Sequence, residues 1–177
     1  GSDNIAIGQS SLHENVNGSN QIAIGNSALY NDYSTNGKNI AIGNEAMYSN
    51  QEGLENTAIG YGVMYQNEYG ERNTALGSFA LQNADGYDNT AIGRGALSNV
   101  IGASNNTAIG SGADVSSSSI SNSIAIGADA VVEQSSSMVL GDTNDVIKVG
   151  IGTGEPSARL HIKAFSPYTG FRLVDGN

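Results

Sequence analysis

The pentapeptide NTAIG stands at residues 56–60, 89–93 and 106–110, with NTALG at 73–77, NIAIG at 4–8 and 39–43, QIAIG at 21–25 and SIAIG at 123–127. The closing glycines, Gly8, Gly25, Gly43, Gly60, Gly77, Gly93, Gly110 and Gly127, are 17, 18, 17, 17, 16, 17 and 17 residues apart. A short unit returning at a near-fixed interval marks a stacked architecture, in which each repeat buries its faces only against its neighbours.

Within each unit the residues alternate as a strand requires, rather than recurring at helical spacing. Ile5 and Ile7, Ile22 and Ile24, Ile40 and Ile42, Thr57 and Ile59, Thr74 and Leu76, Thr90 and Ile92, Thr107 and Ile109, and Ile124 and Ile126 share one strand face. Between the members of each pair stands an alanine, from Ala6 to Ala125. One face is therefore bulky and mostly β-branched, while the other admits only a methyl group, which implies a wall close behind it. Beyond the glycine comes a second small-then-large pair: Ala28-Leu29, Ala46-Met47, Val63-Met64, Ala80-Leu81, Ala96-Leu97 and, in weaker form, Ala113-Asp114 and Ala130-Val131. This pair reads as a return strand. Asn, Asp and Gly then gather before the next core, as in NVNGSN and NADGYDN, and these residues tolerate the positive φ of turns. One coil is thus strand, glycine turn, short strand and polar loop, a flattened roll whose interior is expected to hold little beyond Ala.

So thin an interior cannot offset a backbone ordering cost of roughly 1–2 kcal/mol per residue. The bulky stripe then needs covering by the same stripe on identical chains, and the reading is an obligate homo-oligomer. With 24 Gly, 3 Phe, no Trp and no Cys in 177 residues, there is little bulk for an ordinary core and no disulfide or thiolate metal site. A net charge of −10 repels nucleic acid and anionic lipid alike. No apolar run nears the ~20 residues of a membrane-spanning helix. Neither a nucleic-acid partner nor membrane insertion is expected.

His13 and His161 lie far apart in the chain and share no motif with a serine or carboxylate, so no catalytic set converges. Both read as solvated side chains, and the chain reads as a non-enzyme without a cofactor. GDTND at 141–145 lacks the internal glycine and distal glutamate of a calcium loop. GIGTGEPS at 150–157 lacks the lysine and following helix of a phosphate loop. The column Asn4, Asn39, Asn56, Asn73, Asn89 and Asn106 reads as stacked amides bonding each other and the corner backbone. Tyr30, Tyr48 and Tyr65 follow the Leu or Met of three successive coils. Aromatic rings bring large contact area at small entropic cost, which makes these three the candidate ligand surface; the alternative is a ladder that stiffens the roll.

Residues 4–131, with eight in-phase copies of the AIG core, resemble the YadA-like head of trimeric autotransporter adhesins. The longer repeat and the Leu or Met after the second small residue are similar to segments of phage tail fibres and related bacterial fibre proteins. VGIGTGEPSARLHI at 149–162 resembles the connector that follows such repeats. The resemblance implies a left-handed parallel β-roll of about eight coils, three of which pack about a threefold axis with the Ile/Thr stripe as trimer core. It further implies an extracellular place, on a bacterial surface or a phage-like particle, and attachment to a host-cell glycan or protein receptor. The expected organisation is a cloning scar at 1–2, roll repeats over 3–134, an irregular connector over 135–155 and a strand-bearing segment over 156–177 that leads into further sequence. Two other solenoids fit less well. A left-handed β-helix acyltransferase needs an apolar residue every six positions, and six on from Tyr30 stands Asn36. An ice-binding solenoid needs paired threonine rows.

Overall fold

A computed structural model describes residues 1–98, 100–142 and 147–163. Among these residues the repeat cores form the strands Ile5–Ile7, Ile22–Ile24, Ile40–Ile42, Thr57–Ile59, Thr74–Leu76, Thr90–Ile92, Thr107–Ile109 and Ile124–Ile126. Met138–Leu140 joins them, and all nine lie side by side in chain order in one parallel sheet. Each repeat position stands opposite itself in the next coil: Ala6 pairs with Ala23, Ala58 with Ala75 and Ala108 with Ala125. The chain is an all-β parallel solenoid of about eight turns. From Ala23 to Ala125 the methyl column is buried.

Of the pairs read as a return strand, the five that end in Leu or Met are turns instead, while Ala113-Asp114 and Ala130-Val131 do lead into short strands. Leu29, Met47, Met64, Leu81 and Leu97 have φ between 46° and 49°, a left-handed conformation that no strand can contain. The bend aims each long side chain into the roll, where all five are completely enclosed. Coils are joined there by turn-to-turn bonds: the Leu29 N–H donates to the Ala46 carbonyl at 3.0 Å and Met47 N–H to Val63 at 2.9 Å. Among the described residues, two-residue strands follow at Asn31–Asp32 with Ser49–Asn50, and at Asp114–Val115 with Val131–Val132.

The interior is therefore not an alanine-only lumen. A left-handed residue costs roughly 1–2 kcal/mol, and burying a Leu or Met side chain returns about 1.5–3 kcal/mol, so the inward column is a net gain in each coil. With Val63, Val100 and Val132 also buried, a single roll has a core of its own. A roll of this kind does not need identical chains to supply its interior.

From Asn39 to Asn106 the asparagine column is buried, with Asn4 exposed at its first coil, and it bonds chiefly to backbone. Asn39 Oδ1 accepts from the Asn56 N–H, Asn56 Oδ1 from Asn73 and Asn73 Oδ1 from Asn89, each at 2.9 Å. The amide nitrogens of Asn39, Asn56 and Asn73 donate to the carbonyls of Gly53, Gly70 and Gly86. Each side chain thus satisfies a backbone group that a tight corner leaves unpaired. Gln21 and Ser123 hold the same place where asparagine is missing.

Toward the C-terminus, Met138–Leu140 and Val149–Ile151 both fall inside the stretch 135–155 read above as irregular. The first extends the main sheet, with Val139 opposite Ala125. The second pairs in parallel with Leu160–Ile162 as a separate two-stranded sheet. Residues 143–145 of GDTND and the segment 166–177 lie outside the described residues.

Candidate functional site

The outer face of the sheet carries all twelve aliphatic residues of the stripe. Ile5 and Ile7 are about half exposed, at 48% and 58%, and Ile59, Leu76, Ile92, Ile109 and Ile124 lie between 36% and 46%. Ile22, Ile24, Ile40, Ile42 and Ile126 are half-buried by their neighbours along the stripe. With strands ~4.8 Å apart, nine of them form a band about 38 Å long. A contiguous apolar band of this kind marks an interaction surface. Thr57, Thr74, Thr90 and Thr107 run through the same face in a single file, so there are no paired threonine rows to match an ice lattice.

Tyr30, Tyr48 and Tyr65 come together as a stack, and His13 heads it. The ring centroids are 4.8 Å apart from His13 to Tyr30, 5.0 Å from Tyr30 to Tyr48 and 5.1 Å from Tyr48 to Tyr65. Interplanar angles of 2°, 6° and 5° make the rings parallel. His13 is thus part of the ladder rather than a merely solvated side chain, with its Nδ1 also 2.9 Å from Glu14. The inner ring faces are occupied by one another, so the stack shows edges to solvent. Burial, then the nearby Glu45 carboxylate, raises the Tyr65 phenol above its usual 10.0. Apart from the ladder, Tyr61 and Phe79 form an exposed edge-to-face pair at 5.2 Å.

A second polar column was legible only as spacing: Asn15, Asp32, Asn50 and Asn67 are 17, 18 and 17 residues apart. Asp32 is wholly buried and pairs with no cation among the described residues; its carboxylate accepts from Asn50 Nδ2 at 2.7 Å, Ser34 Oγ at 2.8 Å, Gln21 Nε2 at 2.5 Å and Asn15 Nδ2 at 3.2 Å. Asn67 closes the column by donating to Asn50 Oδ1 at 2.8 Å, and its own Oδ1 finds no donor because Ala84 follows in the next coil.

Burial pushes the Asp32 carboxyl from 3.8 up to about 6 against the opposing effect of its hydrogen bonds, and burial raises Asp114 to about 6 as well. The folded chain then holds protons that the unfolded chain has released between pH 3.8 and about 6. This contribution to stability is complete below about pH 4 and is lost as pH rises through 6. Asp32→Asn removes the buried charge but also takes the acceptor from one pair of donors, so its effect on stability relative to wild type should be more favourable at pH 7.5 than at pH 4, by up to about 3 kcal/mol. Thermal melts of both proteins at the two pH values check this, and an equal effect at both would contradict it.

On the loop side, exposed charges alternate from coil to coil. Lys38 Nζ is 3.0 Å from Glu55, and Arg72 Nε is 2.8 Å from Asp88. The Arg72 guanidinium, hydrogen-bonded to Asp88, holds that carboxyl below its usual range. Such exposed pairs fix register more than they add stability. His161 Nδ1 accepts from the Ser157 N–H at 3.2 Å, with Ser157 Oγ at 3.4 Å. Among the described residues no carboxylate orients that ring, and no group of three His, Asp or Glu side chains could hold a metal ion. No protein-family model, curated protein or solved structure matches the chain.

Proposed function

We propose that this chain is a length of a non-catalytic fibre, built from three copies of a left-handed roll about a common axis, that attaches its bearer to a cell surface outside the cell. The observation that carries the reading is the apolar stripe, which runs from Ile5 to Leu140 along the outer face of the sheet and is exposed or half-exposed in every strand. A row of identical residues in parallel register can meet the same row on other copies along its full length, as cyclic assembly requires. The resemblance to adhesin heads and tail fibres supplies the number three, the hand of the roll and the task of attachment. Three copies convert weak contacts into firm attachment through effective concentration. In this reading the His13–Tyr65 ladder stiffens the fibre.

Fluorescently labelled intact chain, titrated onto a panel of bacterial and animal cells, tests the attachment. Saturable binding to a subset of them, displaced by unlabelled chain, is the expected result. Uniform, non-saturable association with every cell type would make the piece a spacer.

A further inference from the structure

The step from the inner polar column to the asparagine column takes six residues from Asn15 to Gln21, from Asn50 to Asn56 and from Asn67 to Asn73, but seven from Asp32 to Asn39. The extra residue opens the side of the roll. Ser34 turns inward to fill the gap and is buried, its Oγ donating to Asp32 at 2.8 Å and accepting from Gln21 Nε2 at 2.9 Å. Its neighbour Tyr33 swings outward, 54% exposed, and stacks on no other ring among the described residues. Between this bulged loop and the shorter loop of the next coil lies a groove of about 520 Å³. Tyr33, Asn36, Lys38, Glu52, Leu54 and Glu55 line it.

We infer that this groove is a binding site for a neutral saccharide. The inference rests on the attachment proposed above and gives it a place on the chain. A ring with a free face suits the C–H face of a pyranose, because it combines a flat apolar surface with little entropy to lose. Sugar hydroxyls need acceptors and donors close together. Glu52 and Glu55 accept, Lys38 donates, and Asn36, whose Oδ1 is held by Asn20 Nδ2 at 2.9 Å, keeps its amide hydrogens for donation. The 3.0 Å contact between Lys38 and Glu55 fixes both groups across the coils before a ligand arrives. Two carboxylates against one ammonium, on a chain of net charge −10, disfavour anionic sugars. The volume falls within the ~300–1,000 Å³ typical of small-ligand sites. The Tyr30–Tyr65 stack lacks this combination, its inner faces being taken by neighbouring rings.

The test is saturation-transfer NMR on the intact chain with methyl hexopyranosides, N-acetylhexosamines and N-acetylneuraminic acid as probes, run beside the cell titration. Wild type should show transfer to at least one neutral sugar and little to the anionic one. Tyr33→Ala should weaken that binding about tenfold, the scale of one lost aromatic contact, with an unchanged melting temperature, and Tyr33→Phe should retain it. Equal binding by Tyr33→Ala, preference for the anionic sugar, or no transfer to any probe would each overturn the groove as a saccharide site. If cells are still bound saturably in those cases, attachment itself survives and its site lies elsewhere. Absence of saturable cell binding would remove the attachment reading and this inference together.

Discussion

Gly43→Ala should melt roughly 10 °C below wild type, whereas Gly95→Ala should stay within about 3 °C of it. The two glycines look alike in sequence but meet different surroundings. Gly43 closes a strand with φ at +134°, and a Cβ built on it would stand 2.2 Å from the Gly60 carbonyl oxygen and 2.6 Å from its carbon, with no flexible side chain to yield. The same conflict recurs up the column, with Gly60 against Gly77 and Gly93 against Gly110. Backbone strain of 1–3 kcal/mol and the separation of two coils that the methyl group forces should together cost about 3 kcal/mol or more. Gly95 has φ at +65° with nothing within 4 Å of an added Cβ. Its place in other coils is taken by Ser10, Ser27, Glu45, Phe79 and Asp129, all at φ between 53° and 59°, so a side chain is tolerated there. Thermal melts of both variants by circular dichroism check the contrast, and equal losses would mean that glycine is required only for its φ and not for the close approach of coils.

This distinction shows what the chain's residues disclose and what they conceal. Strand position, parallel order and the assignment of faces were readable because Ile-Ala-Ile or Thr-Ala-Ile recurs seven times, with Thr-Ala-Leu once, and a period-two pattern beside a close wall has one solution. The turn at Leu29, Met47 and Leu97 was not readable, since nothing in a Leu or Met side chain announces positive φ. There the stacked hydrogen bonds and the burial of the side chain override local preference. The same blindness produced the narrow-lumen reading: the column that fills the roll was assigned to a strand, leaving only alanine inside. Asp32 and its partners kept the repeat spacing in plain view, but sat in loops whose polarity suggested solvent. The tyrosines' spacing was visible, while the direction of their ring planes depends on side-chain angles that spacing does not set. Tyr33 stands opposite Gln51 of the next coil, and its spacing gave no sign that the loop of seven residues after Asp32, rather than six, would leave a groove beside it.

The second large effect is expected at the sheet face. Ile42 and Ile59 are Cα partners in adjacent strands near the middle of the stripe. In a single chain, aspartate at either place would reach water. In the proposed assembly each would be enclosed against other copies with no cation to pair it, at a cost of several kcal/mol per ion, repeated in every chain. The double variant Ile42→Asp/Ile59→Asp should therefore dissociate. It should keep its β circular dichroism at 20 °C, because Leu29, Met47, Met64, Leu81 and Leu97 remain enclosed within each roll. Sedimentation equilibrium of the wild type beside this variant tests the central claim that identical chains cover the stripe. The account predicts three times 18.1 kDa for the wild type and 18.1 kDa for the variant. A wild-type mass of 18.1 kDa at micromolar concentration, or a variant that sediments as the wild type does, would contradict it.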